Sequence, residues 1–126
     1  MSTVAALALQ NEYQERREAL LREIAEIEAT ILVLLAPTYA SIVLSLNNFT
    51  GRRMTPQARL ACQRAAIIID RRIIRINRVR QSVNISLLPD GPLRRYHRLI
   101  YKTMRYLREF REFEESFVYP PSDDED

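Results

Sequence analysis

Among 126 residues the sequence has one cysteine, one histidine, one lysine, two glycines and no tryptophan. A single cysteine excludes an intrachain disulfide framework, and one Cys with one His cannot supply an all-protein zinc site. The two glycines lie forty residues apart, at Gly51 and Gly91, so no glycine-rich loop is available to cradle a phosphate. Residues 1–10 lack a basic start and a long apolar stretch, so no secretory signal is expected. The expected location is intracellular, cytoplasmic or nuclear. Zinc-finger spacing, the aromatic signature of RNA-recognition domains and the GXXG loop are also missing. A hydrophobic share of 47% nevertheless excludes a globally disordered chain.

The inventory for catalysis is equally thin. His97 stands among Arg95, Tyr96 and Arg98, with no serine or cysteine at a usable helical spacing. Cys62 falls on an apolar helix face, where a cysteine acts as a small core residue. Glu109, Glu112, Glu114 and Glu115 read as a solvated face rather than an acid pair. The expectation is a protein without catalytic residues, metal or cofactor.

What the chain has is arginine, unevenly placed. Its 19 basic and 16 acidic residues leave a net charge of +3. Residues 1–50 hold three arginines against six glutamates, a net of −3. Residues 51–111 hold sixteen bases against Asp70, Asp90 and Glu109, a net of +13, and residues 112–126 hold seven acids and no base, a net of −7. The small total is a cancellation of blocks.

Periodicity predicts an all-α fold. Tyr13, Leu20, Ile24, Ile27, Ile31 and Leu34 step by threes and fours, with Arg17 at an interrupted apolar position; this is a helical seam. The seam predicts a helix from about Thr3 to Ala36, stopped by Pro37. Residues 29–51 carry no charge and admit two readings: a buried helix end followed by a short helix near Tyr39 to Asn47, or a membrane span. Thr55 and Pro56 form an N-cap and first-turn proline for a second helix to about Ser86. Its seam is Cys62, Ala66, Ile69, Ile73, Ile76, Val83 and Leu87, with Arg80 at the missing position. A third helix is expected from Pro92 to about Phe117, capped by Asp90 or Gly91, with Tyr96, Ile100, Met104, Leu107 and Phe110 inward. Residues 1–119 thus form one domain, as a three- to four-helix bundle or a coiled-coil dimer of long antiparallel helices, and 120–126 an acidic disordered tail. Because a heptad seam cannot bury itself, Leu20, Ile24, Ile27, Ile31, Leu34, Ile69, Ile73 and Ile76 are expected to meet a second copy.

At 100° per residue, Arg64, Arg71, Arg75 and Arg78 fall within about 60° on the second helix, a stripe roughly 21 Å long. On the third, Arg94, Arg98, Arg105 and Arg108 fall within about 80°. Arg59, Arg72, Arg95 and Lys102 flank the two stripes. A planar guanidinium fork grips phosphate oxygens bidentately, and a surface of one sign is costly without an anionic partner. The expected ligand is nucleic acid, held by shape and charge, with RNA favoured over DNA. Tyr101 and Tyr106 are candidate base-stacking residues. In size, helicity and charge the chain resembles in outline the small all-helical viral suppressors of RNA silencing, and that resemblance implies duplex RNA bound by a homodimer. The alternatives are a helical adaptor that binds an acidic protein or itself, and a membrane-associated protein acting through residues 29–51.

Overall fold

The computed structural model describes residues 3–47 and 54–117. Three helices, α1 (Thr3–Leu46), α2 (Pro56–Ser82) and α3 (Asp90–Glu115), pack together in an all-α, up-down-up bundle. A short 3₁₀ turn at Ile85–Leu87 links α2 to α3. The acidic tail expected at 120–126 lies outside the described residues.

α1 differs from expectation. It runs unbroken through Pro37, although an internal proline removes one backbone bond at a cost of about 3 kcal/mol. Pro37 itself is exposed. The next residue, Thr38, is fully buried and its hydroxyl donates to the Leu34 carbonyl at 2.6 Å. Ile31 before the proline and Ile42 after it are both buried, so packing on the two sides of Pro37 holds one axis. The separate short helix near Tyr39 to Asn47 is therefore the last part of α1.

α2 begins as expected, with the Thr55 hydroxyl accepting from Ala58 N at 3.2 Å. It stops at Ser82, short of the expected Ser86, because the Asn84 side chain diverts the backbone. Its Oδ1 accepts from Ser86 N at 3.1 Å and from the Ser86 hydroxyl at 2.8 Å, the local competition by which Asn disfavours helix. Val83 and Leu87, expected on the seam, are consequently exposed. α3 starts two residues early: Pro89 takes the capping position and Asp90 lies in the first turn.

The expected inward residues of α3, Tyr96, Ile100, Met104, Leu107 and Phe110, are all buried, together with Leu93 and Thr103. They meet Ile24, Ile27 and Ile31 of α1 and Cys62, Ile69 and Ile76 of α2, with Leu20, Leu34 and Ile73 at the margin. Of the residues expected to form an oligomer seam, Ile24, Ile27, Ile31, Ile69 and Ile76 are buried within the chain, and Leu20, Leu34 and Ile73 are partly buried.

Both interruptions of the heptads are bridges. Arg17 Nη1 donates to Asp90 Oδ1 at 2.9 Å, and its Nη2 donates to the carbonyls of Ser86 (2.9 Å) and Leu88 (2.6 Å). Tyr13 donates to the same Asp90 oxygen at 2.7 Å. Arg80 stands 3.3 Å from Glu28 Oε2, which also accepts from the Tyr96 hydroxyl at 2.7 Å. Tyr39 donates to Asp70. Burial first, and then the carboxylate partner, push the Tyr39 and Tyr96 phenols far above the usual tyrosine range.

Three outcomes follow from these contacts. Arg17→Ala leaves two turn carbonyls without their donor and should cost about 2 kcal/mol, measured by urea unfolding. The Cys62 thiol, fully buried and pushed up by burial to about 11, should react with a thiol reagent at pH 8 only after unfolding. Because both phenols have raised values in the fold, their contribution is complete below about pH 10 and is lost as pH rises beyond it. Wild-type stability should therefore fall more steeply above pH 10 than that of Tyr39→Phe/Tyr96→Phe.

Candidate nucleic-acid interface

α2 and α3 lie antiparallel, and the sides they turn toward one another are not fully closed. Two depressions open between them and share Arg75, Arg95 and Leu99 as walls. The first, about 490 Å³, lies near the α2–α3 turn. Val79, Val83, Leu88, Pro92 and Leu99 give it apolar walls, and Arg75, Arg78 and Arg95 supply its charge. The second, about 310 Å³, is lined by Arg72, Arg75, Arg95, Arg98, Leu99 and Lys102. Together they form one groove with six cations, contributed three by each helix, and no acidic side chain in its lining.

This placement follows from the helical period. Arg72, Arg75 and Val79 share one flank of α2, while Arg95, Leu99 and Lys102 share the flank of α3 that faces it. The apolar members close the contact, and the long cationic side chains extend to the rim. Arg72 lies over the Tyr106 ring at 5.6 Å, a cation–π contact that holds the guanidinium in place. Burial raises the Tyr106 phenol while Arg72 acts against it.

Of the eight arginines expected to bind, Arg75, Arg78 and Arg98 line the groove. The other five stand elsewhere. Arg64 borders a separate depression with Tyr106 and Glu109. Arg105 donates its Nε to Glu109 Oε1 at 2.9 Å, which compensates its charge. Arg94 faces α1, beside Tyr13, Arg16, Arg17 and Asp90. Arg71 and Arg108 are exposed outside the groove. The missing half of the site is Arg72, Arg95 and Lys102, which the sequence places only as flanking residues. The two candidate stacking residues also separate. Tyr106 is engaged by Arg72, and Tyr101 stacks beside His97 with ring centroids 6.2 Å apart.

His97 does not face the groove; its Nε2 stands 3.1 Å from Glu23 Oε1 of α1. Among the described residues, no group of three or more His, Cys, Asp or Glu side chains is placed to hold a metal ion.

Six like charges across a narrow groove repel one another. Arg75→Gln/Arg98→Gln should therefore leave the fold intact and raise its stability by up to about 0.5 kcal/mol, with the gain shrinking as salt is added. Thermal unfolding at two ionic strengths measures both. No family model, curated protein or solved structure matches the chain, so the chemistry of this groove is what speaks to function.

Proposed function

We propose that the protein is a non-catalytic nucleic-acid-binding protein that holds a phosphate backbone in the α2–α3 groove. One observation carries the reading: Arg72, Arg75, Arg78, Arg95, Arg98 and Lys102 converge on a single groove that has no acid in its lining. Five of the six are arginines, whose planar forks match phosphate oxygens. None of the six makes an ion pair among the described residues, so a bound polyanion would relieve repulsion without breaking existing pairs.

The groove runs along α2 from Arg72 to Ser82, about 15 Å at 1.5 Å per residue. Its lining contains no Asn or Gln to read base edges, which supports recognition by charge and shape. Double-stranded RNA is recognised largely in that manner and is the favoured ligand.

If five of the six cations neutralise phosphates, log K for a duplex should fall against log salt with a slope of about −4 to −5. Fluorescence anisotropy with duplex RNA, duplex DNA and single strands at several salt concentrations measures it. Arg75→Glu/Arg98→Glu should abolish binding, whereas Arg94→Glu/Arg108→Glu, the same charge change outside the groove, should retain most of it. Binding to no polyanion, or binding insensitive to salt, would sink the proposal.

A further inference from the structure

The side of the molecule formed by α1 and α2, away from α3, is unlike a solvated helix surface. Only four of the eighteen residues from Ala29 to Leu46 are buried: Ile31, Thr38, Ile42 and Ser45. This stretch nevertheless reaches a mean hydropathy of 2.0, with 22% of it buried. The core helix of a water-soluble bundle with that hydropathy would be mostly buried. Here Leu32, Val33, Val43 and Leu44 are 44–73% exposed, and no charged residue interrupts them.

α2 extends the same side. Arg59 donates to the Leu46 carbonyl at 3.3 Å and Tyr39 donates to Asp70, which sets α2 alongside the C-terminal half of α1. On the outward arc of α2, Leu60, Ile67 and Ile74 repeat every seven residues and are about half exposed. Arg59 and Arg71, exposed and outside the depressions between α2 and α3, stand among them. Seven large aliphatic side chains along these two helices are thus about half exposed or more, and clustered exposed apolar residues mark an interaction surface. The outward face of α3, with Arg105 and Arg108 exposed, shows the charged alternative in the same protein.

We propose that this α1–α2 face docks flat on an anionic membrane surface, with the aliphatic rows in the headgroup–acyl boundary and Arg59 and Arg71 against lipid phosphates. The alternation of aliphatic and basic residues is the pattern of an interfacial helix, and basic residues add attraction to anionic lipid. A span is disfavoured because α2, packed on this part of α1, would carry Asp70, Arg71, Arg72 and Arg75 into hydrocarbon. A second copy fits this face poorly, because pairing α2 with its own duplicate brings its basic residues together. The α2–α3 groove lies on another side of the bundle, so the proposal does not depend on nucleic-acid binding.

Flotation of the full chain with vesicles tests it. The protein should float with phosphatidylcholine–phosphatidylserine vesicles, less at high salt, and scarcely with phosphatidylcholine alone. Leu32→Asn/Val43→Asn/Ile67→Asn, all at exposed positions, should lower partitioning at least tenfold while circular dichroism stays unchanged. Arg71→Glu should lower it severalfold, and Arg108→Glu on α3 should have much less effect. Failure to float with anionic vesicles, or an apolar triple variant that floats as well as wild type, overturns the proposal. So does a wild-type dimer in sedimentation that the triple variant converts to monomer, because that outcome makes a second copy the occupant.

Discussion

The bundle depends on how Arg17 ties α1 to the turn between α2 and α3. One guanidinium meets the Asp90 carboxylate and the carbonyls of Ser86 and Leu88, so a single side chain fixes the end of α2, the turn and the start of α3. Arg17 is mostly buried, with 16% of its side chain exposed, and in that setting its donors require partners. The clamp opposes a force inherent in the same sequence. Three cations on α2 face three on α3, and their mutual repulsion favours separation of the walls. Burial of Leu93, Ile100 and Leu107 along α3 holds the helices from below, at about 1.5–3 kcal/mol for each large side chain. Arg17 holds them from the end, and the Arg80–Glu28–Tyr96 contact joins all three helices.

Most of the architecture was legible in the spacing of apolar residues. The inward set of α3 and the central positions of α1 and α2 follow directly from the 3.6-residue period, which is a local property. The errors arose where a local signal competed with a distant contact. Pro37 is a sound helix breaker by itself, yet Ile31 and Ile42 pack on both sides of it and the helix continues. Ser82 to Leu87 looked helical by seam spacing, but Asn84 caps a 3₁₀ turn instead. That Ile24, Ile27 and Ile31 are covered by α2 and α3 of the same chain is likewise invisible when one helix is counted at a time.

The arginine signal was legible in amount and only partly in place. The +13 block located the charge on α2 and α3, and Arg75, Arg78 and Arg98 were recognisable on their stripes. Arg72, Arg95 and Lys102 belong to the same groove, but a helical wheel does not say which flank of a stripe turns toward its neighbour. That depends on the handedness of the bundle, set by contacts such as Tyr39–Asp70 and Tyr96–Glu28 across 31 and 68 residues of sequence. The meaning of Arg17 and Arg80 was hidden for the same reason. Each appeared as a flaw in a heptad, and each is a tertiary bridge.

The result is a molecule with different chemistry on different sides: a cationic groove between α2 and α3, a charged outer face on α3, and an aliphatic face on α1 and α2. The central claim, that the groove receives a phosphate backbone, is tested most directly by NMR of the arginine and lysine side chains during titration with a short RNA duplex. The account predicts that signals of Arg72, Arg75, Arg78, Arg95, Arg98 and Lys102 shift together and saturate, while those of Arg94 and Arg108 change little. Shifts spread evenly over all exposed arginines, or confined to residues outside the α2–α3 groove, would contradict it.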